Sequence, residues 1–376
     1  MQRWLGWLIS FVLGLFVMGS PAWAMEQGTV EWAGPAEIPE FQKATVPIKL
    51  SFPKDFGPHE DYQTEWWYYT GNLETESGRL FGYELTLFRR GLTPGLPDQQ
   101  GSAWRSNQVY FSHFTLSDIE NQQFYPVERF NRGAAELAGA QANPYRIWLD
   151  DWSVEEVQPG QLQLHAQGPE TALNLQVSLT TPVLQGNKGL FVKGSELGNA
   201  AYYYSVVQQP TQGTVTVQGE TLTVSGSSWT DHEFATRPLS QGTQGWDWFS
   251  LQLEDGSVLM LYGLRSHDGS DLPESSGTFI NAEGKVLHLN GKDYQLQVLD
   301  RWTSPQSRTQ YPSKWVISVP KLDLEMQVAP MMNNQELLLS TKYWEGAVSI
   351  SGTQSQQPIW GKGYVELTGY DRELSF

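Results

Sequence analysis

Strand-like segments follow one another roughly every 8 to 12 residues along most of this chain, and the longer apolar period of a helix is almost absent. Aromatic and β-branched runs such as Leu173 to Thr180, Ala201 to Gln208, Val258 to Leu264 and Lys314 to Val319 are set apart by turn-forming residues. This spacing restricts the chain to an antiparallel sandwich or barrel, an all-β fold. Asn131 to Ala140, alanine-rich behind a capping asparagine, is the one stretch that reads as a helix.

The pattern occurs twice. The hairpin EWWYYTGNLETESGRLFGYELTLFR, ending at Arg89, resembles WDWFSLQLEDGSVLMLYGLR, ending at Arg265, and TLTVSGSSWTDHE resembles GKGYVELTGYDRE at Glu373. Two units are therefore expected, over 61–240 and 241–376, preceded by a proline-rich lead-in over 25–60. Residues 92–107 read as a long loop. Each unit has about eight strands, the number at which a closed barrel leaves room for one small ligand. Closure also removes exposed sheet edges.

The first 24 residues read as a cleavable export leader: Arg3 precedes the apolar run Trp4 to Met18, and Ala22-Trp23-Ala24 fits a small-residue cleavage site. That run is about 15 residues, short of the ~20 that a spanning helix needs. No membrane span is expected after cleavage, and the mature protein is expected in the periplasm or outside the cell. The chain carries 24 basic and 41 acidic residues, net −17, which argues against nucleic acid or an anionic membrane as partner. It has no cysteine, so apolar cores must carry its stability, and 16 each of Trp, Tyr and Phe are available to build them. Nothing in the sequence indicates an oligomeric state.

Charged side chains are scarce, and GSSWTDHEFATRPLSQGTQGWDWF sets a contiguous Asp231, His232 and Glu233 and a further Asp247 among three tryptophans. On a strand, Asp231 and Glu233 share one face and His232 takes the other. Two carboxylates so placed push one pKa upward. Asp231 is thus a candidate acid, with His232 the alternative and Glu233 the neighbour that raises it. The competing reading pairs the carboxylates with an arginine such as Arg237 or Arg265 and puts the tryptophans in the core. Three adjacent strand residues cannot converge on one ion, and His59, His113, His165, His267 and His288 show no ligand spacing, so neither metal nor cofactor is expected. Ser195 in KGSELG lacks the first glycine of a Gly-x-Ser-x-Gly elbow, so no serine hydrolase is indicated.

The runs SSWTDHEFATRPL and GWDWFSLQLEDGSVLMLYGLR, with DYQTEWWYYTGNL upstream and YWEGAVSISG and GYVELTGY downstream, resemble the AttH-like proteins and CrtC-type carotenoid 1,2-hydratases. The resemblance covers roughly Asp61 to Tyr370. It implies two lipocalin-like barrels and a site for a carotenoid, terpenoid or lipid-like molecule, in a barrel mouth or between the barrels. It also implies hydro-lyase chemistry, the addition of water to an isolated C=C bond, in which Asp247 and Tyr262 would hold water, Trp229, Trp246 and Trp248 would line the developing cation, and Trp66, Trp67, Tyr69, Tyr203, Phe234 and Arg265 would complete the ligand contacts; a non-catalytic carrier of the same ligands is the alternative. Two positions depart from the hydratases: Phe234 replaces their tryptophan, and Leu264 stands where an acid is expected after Tyr262.

Overall fold

The structure, a computed structural model, describes residues 40–95, 102 and 104–372. The expected leader over 1–24, residues 25–39 of the lead-in, the middle of the 92–107 loop and Glu373 lie outside the described residues. The fold is all-β, as the strand spacing predicts, and its only helical elements among the described residues are short 3-10 turns at Lys54–Phe56 and Pro320–Leu322.

The first sheet contains β1 (Thr64–Thr75), β2 (Leu80–Gly91), β3 (Gln108–Asp118), β4 (Gln123–Arg132), β5 (Ala138–Ala142), β6 (Tyr145–Leu149), β7 (Trp152–Gln158), β8 (Gln161–Gln167), β9 (Thr171–Ser178), β10 (Val183–Leu184), β11 (Leu190–Val192), β12 (Ala200–Val217) and β13 (Glu220–Ala235). The second contains β14 (Thr243–Leu253), β15 (Val258–Ser266), β16 (Ser276–Ile280), β17 (Val286–Asn290), β18 (Gln295–Thr303), β19 (Gln310–Val319), β20 (Leu324–Pro330), β21 (Glu336–Leu338), β22 (Lys342–Gln354) and β23 (Gln357–Leu367). Both sheets are antiparallel and curled, and in the first the curl brings β3 and β4 against β6. Each sheet forms a barrel or half-barrel, and among the described residues its hydrogen-bonded ladder stays open between β4 and β5 in the first and between β17 and β18 in the second, so edges remain.

No helix forms over Asn131 to Ala140. β4 runs on to Arg132, Ala135 and Glu136 take positive φ angles of 52° and 61°, and β5 begins at Ala138. The small residues serve close packing instead, since a Cβ on Gly139 would lie 2.5 Å from the Trp148 indole.

The repeat seen in the sequence is visible as shared topology. The order β3-β2-β1-β13-β12 of the first sheet matches β16-β15-β14-β23-β22 of the second. Arg89 lies opposite Glu65 and Arg265 opposite Gly245, so the hairpin arginines are equivalent. Asp231, opposite Tyr68, then corresponds to Glu366, opposite Trp248. Aligning TDHE with YDRE had put that equivalence too far along the chain.

Strand alternation decides what each residue faces. Trp67, Tyr69, Leu85, Phe114 and Trp152 fill the interior of the first sheet, and Phe249, Trp315, Trp344 and Val365 that of the second. The other faces of the central strands pack against each other in a seam built from Tyr68, Tyr203, Trp229, Trp248, Tyr262, Ala347 and Tyr364. Bonds cross it: Asn72 Nδ2 donates to the Gly363 carbonyl at 3.1 Å, Ser227 to Gln252 at 2.8 Å, and His113 Nδ1 meets Tyr343 at 2.7 Å. Gly82 permits the approach, because a Cβ there would sit 2.7 Å from that of Ala347.

Candidate functional site between the two sheets

Because both interiors are filled by their own side chains, the space for a ligand lies in the seam. A cavity of about 160 Å³ is walled there by Trp66, Tyr68 and Tyr203 from the first sheet and Trp246, Trp248 and Tyr262 from the second. Half-buried Phe88, Arg90, Phe111 and Thr341 form its rim. A wider groove of about 1150 Å³ elsewhere along the seam is lined by carboxamides and hydroxyls, including Gln163, Asn174, Gln176 and Gln252, with no aromatic wall. Aromatic walls with few convergent polar groups are the signature of a ligand site, so the smaller cavity is the candidate.

Six carboxyl groups line it: Glu65, which pairs with Arg89, and Glu84, Asp231, Glu233, Glu345 and Glu366. Lys193 answers one of them, donating to Glu233, while its ammonium stands 4.7 Å from the Tyr262 ring centroid and 5.3 Å from that of Trp66. Burial raises the Glu233 pKa and the lysine opposes the rise. Asp231 accepts from Ser205 at 2.5 Å, Tyr203 at 2.5 Å and the Trp229 indole at 2.7 Å. Burial outweighs these three bonds and pushes its pKa up to about 7, with only a minor part from the Glu233 charge. Glu366, which accepts from Trp246 Nε1 at 2.8 Å, is pushed up by burial to about 8.

Glu84 on β2 and Glu345 on β22 come together from opposite sheets, and the charge of Glu84 disfavours that of Glu345. Burial, reinforced by the charges of Glu84 and Glu366, holds Glu345 well above the usual carboxylate range, and Tyr68 donates to it. Burial also raises Glu84, against the charge of His113. Four polar atoms of the lining residues are buried without a protein partner: Glu84 Oε2, Arg89 Nη1, Tyr262 Oη and Glu345 Oε2. Protein groups left in that state are costly, which points to an occupant that bonds to them.

The opposite face of β13 builds something different. His232 stacks on Trp67 at 4.9 Å; its Nε2 bonds Glu65 Oε1 at 2.8 Å and its Nδ1 the Tyr204 hydroxyl at 2.7 Å. His59 Nδ1 reaches the same Glu65 oxygen at 2.8 Å, and Arg89 Nε donates to Glu65 Oε2 at 2.9 Å. The donor atoms of His59, Glu65 and His232 lie within 4.8 Å of one another, so two histidines that looked unrelated in sequence converge. Glu65 is already bonded to both rings and neutralised by Arg89, and the cluster is satisfied as a hydrogen-bonded ion network. Burial lowers the His232 pKa, and the ring does not reach the cavity.

Several residues expected at the ligand lie elsewhere. Trp67 and Tyr69 are core, the latter bonded to Tyr145 at 2.6 Å. Phe234 stacks on His59 at 3.6 Å. Asp247 and Arg265 pair at 2.9 Å, with Tyr370 also bonded to the aspartate, and neither lines the cavity. Trp229 stands behind the wall, bonded to Asp231 and edge-on to Trp248. Trp66, Tyr203, Asp231, Glu233, Trp246, Trp248 and Tyr262 do line it.

Comparison with known proteins now decides the relationship, because the AttH-like family matches residues 43–370. The chain belongs to the AttH-like family. It is 31% identical to AttH (NE1406) of Nitrosomonas europaea, with a TM-score of 0.77 over 87% of this chain and 100% of that one. Kievitone hydratase of Nectria haematococca aligns at 13% identity and a TM-score of 0.67, over 89% of this chain and 100% of that one. CghA with Sch210972 aligns at 10% and 0.50, over 83% and 89%. The last two share the fold alone. No match is found among curated proteins.

In this AttH-like chain Leu264 is buried in the seam, and Glu366 on β23 and Glu345 on β22 are among the acids that line the cavity. YWEG and GYVEL carried these glutamates in plain sight, each between residues that alternate into the second core, and that alternation was the available signal. Glu366 also makes a prediction. Its pKa rises from the ordinary 4.5 to about 8 on folding, so the folded state binds the extra proton between those values and stability falls as pH rises through that window. Glu366→Gln is expected to flatten the fall and gain most near pH 8, as read by thermal melting across pH.

Proposed function

We propose that the seam cavity takes the unsaturated end of an apolar molecule, a carotenoid, terpenoid or lipid-like ligand, and adds water across its terminal C=C bond. The observation that carries this reading is an acid poised near neutrality, Asp231, in an aromatic-walled cavity. Asp231 gives its proton to the less substituted carbon, and the tertiary cation that forms faces Trp66, Trp246 and Trp248, an attraction of about 2 kcal/mol when desolvated. Water bonded to Glu345 and Tyr262 adds to the cation, and the Glu84–Glu345 pair takes its proton. General acid catalysis supplies about 10² to 10⁴-fold, so positioning, worth up to ~7 to 11 kcal/mol, carries most of the acceleration. A protein of the same fold is named a hydratase, which agrees with the reading.

A carrier is the second reading, favoured by the fact that both Asp231 oxygens already accept hydrogen bonds from the protein. Incubation with acyclic terpenoids separates the two. A product heavier by one water supports hydration; tryptophan quenching on binding with no product supports the carrier.

A further inference from the structure

We propose that the rings of Phe88, Phe111 and Phe130 form an external ledge on which the remainder of the cavity's ligand lies; the proposal rests on an apolar molecule entering the seam. The cavity measures about 160 Å³, close to the ~150 Å³ of an engineered apolar cavity that holds a single benzene. Only one end of a longer ligand fits inside, so its remainder must leave through the rim.

Phe88 and Phe111 belong to that rim. They are opposed across β2 and β3, with ring centroids 4.4 Å apart and planes 8° from parallel. Phe130 continues the row on β4, 5.6 Å from Phe111 and 23° from parallel. The row spans three neighbouring strands, so it leads about 10 Å away from the cavity. Phe130 is 57% exposed, whereas Phe114, three residues after Phe111 and so on the other face of β3, is fully buried in the first core. The ledge therefore belongs to the outer face and contributes nothing to the interior.

Stacked rings with near-parallel planes present their edges to whatever lies across the row. Ring edges carry positive partial charge and attract the negative face of a π system, so the ledge suits an unsaturated chain better than a saturated one. Phe88, paired with Trp66 across β1 and β2, joins this row to the cavity wall.

Prenol, geraniol, farnesol and geranylgeraniol test this, since each ends in the same isolated C=C bond and each is longer by one isoprene unit. Binding is read on the full chain by quenching of its tryptophans. The wild type is expected to bind the longer alcohols more tightly, and Phe130→Ala, an exposed position that folding does not need, to lose about tenfold of that gain while prenol binding stays unchanged. Phe130→Tyr should restore the length dependence. If the wild type binds prenol but gains nothing with length, or if Phe130→Ala keeps the full gain, the ledge is overturned and the cavity stands. If the wild type binds none of the four, the cavity reading fails and takes the ledge with it.

Discussion

Asp231→Asn is expected to lower hydration by about 10² to 10⁴-fold while leaving ligand binding in place. Asparagine keeps an acceptor for Ser205 and the Trp229 indole, so the wall of the cavity is preserved and only the transferable proton is removed. The pH dependence has a definite sign. The acid must hold its proton, and its pKa lies at about 7, so wild-type turnover falls as pH rises through that value. Stability moves the other way in the variant. A carboxyl raised from 3.8 to about 7 on folding weakens the fold progressively across that window, and asparagine does not, so the variant should be at least as stable as the wild type at neutral pH. Lost turnover without lost stability marks a functional acid; turnover that survives the change contradicts the assignment.

Arg89→Met is expected to cost about 3 to 5 kcal/mol of folding stability, because it leaves the Glu65 carboxylate buried without its counter-charge. Both side chains are fully buried and joined at 2.9 Å, and Arg89 also donates to the carbonyls of His59 at 2.9 Å and Tyr62 at 2.8 Å. Burial works against the Glu65 charge, yet Arg89, His232 and His59 together hold its pKa well below the usual range. Its contribution is therefore present above about pH 4.5, the ordinary value, and lost as the pH falls below it. The difference between wild type and variant should shrink on acidification, as read by urea unfolding. Glu65→Gln added to Arg89→Met should recover part of the loss.

Much of this arrangement is legible in the sequence because strand alternation is local. The period of two in TDHE places Asp231 and Glu233 together and His232 apart, and the coordinates agree. The same rule split EWWYY into Trp66 and Tyr68 against Trp67 and Tyr69. It could not say which pair faces the core, since all four are aromatic. What alternation misses is long-range. Glu84 and Glu345 meet from different sheets, and Glu65 collects His59, Arg89 and His232 from separate segments. Asn131 to Ala140 reads as a helix because the small residues that serve tight packing under Trp148 are also helix formers. Strand count allows for barrel interiors with room for a ligand, and the resemblance leaves the site in a barrel mouth or between the barrels. The bulk of Trp67, Trp152, Trp315 and Trp344 fills those interiors and moves the space to the seam.

The most direct test is a crystal structure of the full chain grown with geraniol. The account predicts the alcohol's isolated double bond between Trp246, Trp248 and Tyr203, within reach of Asp231, and the rest of the molecule running out past Phe88. Geraniol found instead among Trp67 and Trp152, or among Trp315 and Trp344, would contradict it, since the ligand would then belong inside a curled sheet and the buried acids of the seam would have no part in its chemistry.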